Sequence, residues 1–401
     1  MGDHVVTLNA GSSSVKFALF AIESAWPRLV ASGQIDGLGA TTHFHARVVG
    51  GDKIENADKV ADHEQAIRLI LEWVETTFPE ITVGAIGHRV VHGGLNHSAP
   101  AIVDDAILAD LRALCPLAPL HQPHNLAGVE AARAAFPNVP QVACFDTAFH
   151  RGHAFVDDAY ALPRDYYDRG MRRFGFHGLS YEYIARRMRE IDPVLACGRI
   201  IVAHLGAGAS LCAMKNGRSV ASTMGFSPLD GLPMGTRCGQ IDPGLLLYLL
   251  DHEKMSASDL QRLLYEQSGL KGLSGVSSDM LELEASSAAR AREAIDYFAH
   301  RIRMEIGALA SVLHGLDALV FTGGIGEHSA RVRAAVLDNM RWVGLSLDAA
   351  ANKADAPRIC DPGAATPVFV LRTDEEAMIA FHTIETAGLA RVRVASMRVD
   401  P

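Results

Sequence analysis

Two distant stretches of this chain share one plan. Each is a run of β-branched and apolar residues, then a turn of glycine and other small residues, then at once a second apolar run. The first is Val5–Phe20, VVTLNAGSSSVKFALF, and the second is Arg199–Met214, RIIVAHLGAGASLCAM. Residues of this kind favour the pleated, half-buried surface of a sheet, and a glycine-rich break between two such runs reads as a β-hairpin. With Gly11 set against Gly206, the hairpins correspond in character, and strands then alternate with helices in both halves. That is the pattern of an internal duplication, and the alternation places the chain in the α/β class.

The first half reads as strands at 4–9, 15–20, 28–35 and 43–49, a helix at 62–78 and a strand at 83–91. Helices at 104–114 and 123–136 follow, the second with Pro123 near its start, and a strand at 140–145 ends at Asp146. The second half reads as strands at 199–204 and 211–214 and helices at 243–252 and 256–267, then a long helical stretch over 281–314. A strand at 318–321, a helix at 329–340, a strand at 367–371 and a closing helix at 374–387 complete it. No low-complexity linker separates the halves.

With 401 residues, 49% of them apolar, the chain can bury a sizeable core and fits two to three domains. The net charge of −9 and the lack of a Lys/Arg block exclude a nucleic-acid surface. The six cysteines, at 115, 144, 197, 212, 238 and 360, form no Cys-x-x-Cys. In a chain this long they read as reduced thiols of a cytoplasmic protein, not a disulfide framework. Met1-Gly2-Asp3-His4 leads straight into a strand, without a signal peptide. The longest apolar stretch, Gly307–Ile325, is interrupted by His314, Asp317 and glycines, so it reads as core and no membrane span is expected.

Three glycine-rich turns follow strands, at 9–14, 206–210 and 322–327. Glycine lets successive N–H groups approach an anion, Ser12, Ser13 and Ser14 add hydroxyls, and Lys16 adds a point charge. The third turn joins a strand to a helix, whose N-terminus can face a phosphate or ribose. None has P-loop spacing, and Gly-Gly-Ile-Gly lacks Rossmann spacing. One such loop alone is more often a tight turn; three together point to a nucleotide.

Gly87-His-Arg-Val-Val-His-Gly-Gly and Met234-Gly-Thr-Arg-Cys-Gly set Arg89 and Arg237 among glycines, where guanidinium forks can hold a phosphoryl group or a carboxylate. The alternative for either arginine is a surface salt bridge. His88 and His92 stand four apart, but a β-branched segment ending in Gly-Gly opposes a helical zinc site. His121 and His124, and His177 in Phe-Gly-Phe-His-Gly, lie in turn-rich loops, as phosphoryl donors or as packing groups. Asp146 at a strand end can hold Mg²⁺ or orient a nucleophile, and Glu375 and Glu376 open a helix, where the dipole alone would favour acids.

With these residues in place, the chain resembles the acetate kinases, the acetokinase family of the acetate and sugar kinase/actin superfamily. LNAGSSSVKF, GHRVVHGG, PLAPLHQPHN, FDTAFH, FGFHGLSY, HLGAGAS, MGTRCGQIDPG, FTGGIGEHS and LRTDEEAMIA carry the resemblance over nearly the whole chain. It implies duplicated actin-like (ribonuclease H-like) domains with mixed sheets flanked by helices, 1–147 plus 377–401 and 148–376, closing over a cleft. It implies reversible phosphoryl transfer between ATP and acetate, giving acetyl phosphate and ADP, in a homodimer built on the C-terminal domain. Mg²⁺ is the implied cofactor, with Mn²⁺ as a substitute, and Asn9 and Glu375 are the implied ligands.

Residue by residue, the resemblance assigns Arg89 and Arg237 to grip the carboxylate and the transferring group. His177 stabilises that group with His121 nearby, and Asp146 orients or deprotonates the acceptor. Lys16, His204, Leu205, Gly206, Ala207, Gly208, Asp279, Met280, Leu281, Gly324, Ile325, Gly326, Glu327 and His328 are implied on the nucleotide side. Val91, Leu120, Phe176 and Pro228, with Arg89, would form the acceptor pocket. Two positions depart from the pattern: Ala207 stands where Asn is common, and Asp279-Met280-Leu281 replaces Asp-Phe-Arg. Both bear on nucleotide affinity, not on reaction type. The readings that remain beside acetate kinase are a propionate or other short-chain acyl kinase, a relative using another phosphoryl donor, a nucleotide-driven binding protein without catalysis, and a zinc hydrolase. Replacing Arg89 or Arg237 by alanine is expected to cut turnover far more than stability.

Overall fold

The computed structural model describes residues 2–11, 13–23, 26–39, 41–51, 53–58 and 60–389, without the side chains of 56–58. Ser12 of the first turn falls outside the described residues. The chain divides into two compact units, Met1–Ala148 with Asp374–Pro401, and Phe149–Thr373.

The first unit holds strands β1 (His4–Ala10), β2 (Ser14–Ala21), β3 (Arg28–Asp36), β4 (Thr42–Val48), β5 (Lys53–Asp58), β6 (Val83–Val90), β7 (Ala101–Ile102) and β8 (Gln141–Phe145), in the order β5-β4-β3-β2-β1-β6-β8-β7. β1 to β5 run as an antiparallel meander, β6 is parallel to β1, and β8 is parallel to β6. The second unit holds β9 (Arg199–Leu205), β10 (Ala209–Lys215), β11 (Arg218–Ser222), β12 (Ala318–Thr322) and β13 (Val368–Val370), in the order β11-β10-β9-β12-β13. There too the first three strands are antiparallel, and β12 and β13 are parallel. Strand for strand this repeats β3-β2-β1-β6-β8, so the duplication is in the topology of the sheets as well as in the hairpins.

Burial differs between strands in the same place in their sheets. β4 and β12 each lie one strand from an edge. β4 alternates, with Thr42, Phe44 and Ala46 buried and their neighbours exposed, as in an antiparallel strand with one face to solvent, whereas β12, parallel to both of its neighbours, is buried on both faces. The His63–Thr77 helix is capped by Asp62, which accepts from the Gln65 N–H, and lays Ala66, Ile67, Ile70, Leu71 and Val74 on the first sheet. The Glu375–Thr386 helix also packs on this sheet. It can do so closely because residue 87 is glycine: a Cβ there would stand 2.1 Å from Thr383 Oγ1.

The structure differs from the sequence reading in several elements. β5 and β11 form from short, polar segments because a neighbouring strand offers them an edge. The Gly178–Ile191 helix starts at His177, in the left-handed region with φ 57, without the Ser or Asp cap that would announce it. The 281–314 stretch is two helices, Met280–Ala285 and Ala289–Val312, parted by extended backbone at Ser286. The third glycine turn is itself a short helix, Gly323–His328. Among the described residues no helix is long and apolar enough to cross a membrane, and the six cysteines form no disulfide.

Candidate functional site

In the first unit, β6 and β8 end side by side. Val90 pairs with Phe145, and the Asp146 N–H donates to the Val90 carbonyl at 3.1 Å. Arg89 and Asp146 are thereby brought together. Arg89 Nε donates to Asp146 Oδ1 at 3.1 Å and Nη2 to Oδ2 at 2.7 Å. The Glu375–Thr386 helix brings its first residue to the same guanidinium, with Glu375 Oε2 3.6 Å from Arg89 Nη1. Burial works against the Arg89 cation, but Asp146 and Glu375 outweigh it and hold the group well above its ordinary value. Burial pushes the Asp146 carboxyl up, and Arg89 pulls it back. Burial and then Glu375 push up the Glu376 carboxyl, which Lys16 pulls down.

The first hairpin is closed by the Gly11 N–H, which donates to the Ser14 carbonyl at 2.8 Å. Asn9 lies opposite Lys16 in the register, so the two side chains share a face. Two residues outside the predicted site hold this hairpin. His63 Nε2 donates to the Gly11 carbonyl at 2.6 Å. Asn125 donates to the Ala10 carbonyl at 2.7 Å and accepts from the Val91 N–H at 3.0 Å. Val91 is buried, and Leu120 and His121 are half-buried at the turn that opens the Gln122–Ala135 helix. His88 is structural: Nε2 donates to Gln141 at 2.7 Å, and burial lowers its pKa to about 4. A zinc site built on it does not fit.

In the second unit, Gly206, Ala207 and Gly208 join β9 to β10, and the Gly206 N–H donates to the Gly208 carbonyl at 3.0 Å. Gly208 makes room for His177: a Cβ there would stand 3.1 Å from His177 Nε2. His177 is held by Ser210, 2.8 Å from its Nδ1, and is stacked on His204 with ring centroids 4.3 Å apart. Tyr181 reaches the same Ser210 hydroxyl at 2.5 Å, and Ser180 lies 2.8 Å from His204 Nδ1. Leu205 and Phe176 are buried beside these groups in sequence. Arg237 Nη1 donates to the Pro228 carbonyl at 3.1 Å, which joins two more predicted residues.

The glycine turn at 323–328 approaches the β9–β10 loop: a Cβ on Gly206 would lie 3.9 Å from the Gly324 N. Its own helix start is, however, partly taken. Glu327 accepts from the Gly323 N–H at 2.9 Å and from the Thr373 N–H at 3.2 Å, so its carboxylate caps the turn. Ile325 and Gly326 lie in the same turn, and His328 ends it. Asp279 is likewise a cap, accepting from the Leu281 and Glu282 N–H groups at 2.8 and 3.2 Å. Met280 is buried, and Leu281 is 68% exposed.

Among the described residues no three His, Cys, Asp or Glu side chains converge as ligands for a metal. That is compatible with Mg²⁺, which is commonly held by one or two carboxylates, with water and substrate phosphates completing the shell. The oxygen donors Asn9 and Glu375 fit that chemistry.

Known proteins resemble this chain over nearly its whole length. Residues 4–381 match the acetokinase family. The acetate kinase of Methylocella silvestris is 55% identical, over 95% of this chain and 97% of that one. The crystal structure of the Porphyromonas gingivalis acetate kinase is similar with a TM-score of 0.86 at 36% identity, covering 96% of this chain and 99% of that one. A propionate kinase from Francisella tularensis has a TM-score of 0.89 at 34% identity over the same shares.

Proposed function

The chain belongs to the acetokinase family, and on that premise we propose that it is an acetate kinase whose chemistry is carried by the residues assembled above. The observation that carries this reading is the 55% identity to an acetate kinase over 95% of the chain. The reaction is direct: an acetate oxygen attacks the γ-phosphorus of ATP, the bond to the bridging oxygen breaks, and ADP leaves with the electron pair.

Acetate is already ionised at neutral pH, so catalysis rests on positioning and charge cancellation. Arg89, anchored by Asp146, grips the acceptor carboxylate or the transferring group, as does Arg237. Asp146 is engaged by Arg89 at two oxygens, which suits orientation of the guanidinium better than abstraction of a proton. His177 directs Nε2 toward the Gly206–Gly208 loop and would donate to a phosphoryl oxygen, with His121 assisting. Lys16, His204 and the glycine loops would hold the nucleotide phosphates, and the stretches at 279–281 and 324–328 its adenosine. Bound Mg²⁺, for which Mn²⁺ would substitute, would neutralise phosphate charge, with Asn9 and Glu375 as its protein donors.

The Francisella propionate kinase favours a second reading of the acceptor alone. One methylene against an apolar wall such as Val91, Leu120, Phe176 and Pro228 changes selectivity by about 1–3 kcal/mol. Trapping the acyl phosphate with hydroxylamine, using acetate, propionate and butyrate in turn, tests both. Product with acetate is the expected result; product confined to propionate would move the protein to the second reading.

The Pro243–Asp251 helix supports a homodimer. None of its residues is buried, although it reads PGLLLYLLD, and Leu247 is 61% exposed. We place the partner copy on this helix and the protein in the cytoplasm.

A further inference from the structure

Behind His177 lies a hydrogen-bond relay with only one possible direction. His150 Nε2 is 2.9 Å from the Phe176 carbonyl, and its Nδ1 is 2.7 Å from Ser219 Oγ. The same hydroxyl is 2.7 Å from His153 Nε2. A carbonyl oxygen only accepts, so His150 carries its proton on Nε2. The ring is completely buried and neutral at pH 7, because burial drops its pKa to about 3. Its Nδ1 is therefore an acceptor, and the Ser219 hydroxyl donates to it. That commits the only hydroxyl proton of Ser219, so His153 Nε2 must be the donor to Ser219 Oγ. The order is His153 to Ser219, Ser219 to His150, and His150 to the Phe176 carbonyl.

The relay ends on the peptide that precedes His177. A non-glycine residue at φ 57 is in the left-handed region, which L side chains rarely adopt without support from their surroundings. The plane of the Phe176–His177 peptide sets that φ, and His150 holds its oxygen. Gly175, itself at φ 73, lets the backbone settle on His150: a Cβ there would stand 2.6 Å from two ring carbons. From this conformation His177 meets Ser210, stacks on His204 and presents Nε2 to Gly208.

We propose that His150 is a positioning residue for His177: with its tautomer set by Ser219 and His153, it pins the Phe176–His177 peptide so that His177 stays left-handed over the Gly206–Gly208 loop. This rests on the reading of His177 as the donor to the transferring phosphoryl group.

The test combines two readouts on the full chain. In ¹⁵N-histidine-labelled protein, His150→Phe should shift the His177 ring signals, which are assigned by their loss in His177→Ala. It should lower kcat about five- to tenfold, as expected for loss of one buried hydrogen bond, with KM for ATP and acetate nearly unchanged. His150→Gln, whose amide can donate from near the Nε2 position, should recover most of the rate. In the His177→Ala background, His150→Phe should cost nothing further. The same loss in both backgrounds, or unmoved His177 ring signals in His150→Phe, would overturn the proposal. Should His150→Phe fail to fold, Ser219→Ala, which releases the tautomer, is judged by the same outcomes. If His177→Ala itself retains full kcat, the catalytic reading of His177 fails, and the ring signals alone decide the positioning.

Discussion

Arg89 lays the Nε–Nη2 edge of its guanidinium along the Asp146 carboxylate, whose side chain is only 2% exposed. This changes what an Arg89 substitution does. Arg89→Ala strands a buried carboxylate, and breaking such a pair costs about 3–5 kcal/mol. The expectation that turnover would suffer far more than stability therefore gives way to a loss of both. Urea unfolding should show the destabilisation, and adding Asp146→Asn should recover much of it without restoring turnover. Arg237→Ala removes a bond to the neutral Pro228 carbonyl and should cost about 1 kcal/mol while turnover collapses. Wild-type stability in Arg89→Ala would refute the anchoring role of Asp146.

Gly208→Ala should move His177. The new Cβ would crowd Nε2 at 3.1 Å and Cε1 at 3.4 Å. Displacement of a catalytic group by a few tenths of an ångström should lower kcat by about tenfold or more, with little change in melting temperature. Unchanged kcat would show that His177 does not act from this position.

The two departures from the family pattern lie on exposed positions, Ala207 in the β9–β10 loop and Leu281 in the Met280–Ala285 helix. Ala207→Asn and Leu281→Arg should each lower KM for ATP several-fold. Stability should stay within about 0.5 kcal/mol of the parent, as for surface changes generally. KM values that do not move in either variant would mean that other groups already supply these contacts.

Buried histidines set the acid limit of the fold. Burial lowers the pKa of His88 and His153 to about 4 and that of His150 to about 3, against about 6.5 in an unfolded chain. Between those values the unfolded chain binds more protons than the folded one, so stability rises with pH. It is complete above about pH 6.5 and is lost as pH falls toward 4. Urea midpoints across this range should show the decline, and His88→Gln should flatten its slope by up to one proton. A slope unchanged in that variant would contradict the assignment for His88.

The apolar Pro243–Asp251 helix predicts self-association. Light scattering should report a dimer, and Leu247→Lys should weaken it while leaving the monomer folded. A monomeric parent protein would remove this helix from consideration as an interface.

Much of this was legible in the residues. The hairpins at Gly11 and Gly206, the strand ending at Asp146 and the helix opening at Glu375 all carry their signal locally, in β-branched runs, glycines and a helix start. The supports do not. Asn125 joins Ala10 to Val91, and His63 meets Gly11, only once the sheet and its helices have packed. Nothing in the order of residues says that Ser219 is shared by His150 and His153. The capping roles of Glu327 and Asp279 were hidden for a different reason: such a carboxylate suits a ligand and a backbone cap equally in the sequence, and only the distances to Gly323 and Leu281 show the cap.

The most direct measurement is ³¹P NMR of the protein with ATP, Mg²⁺ and acetate. Acetyl phosphate and ADP should appear together in equal amounts, with no inorganic phosphate formed at the same rate. ADP with inorganic phosphate in place of acetyl phosphate, independent of acetate, would contradict the acetate kinase reading and make the protein a nucleotide hydrolase on this fold.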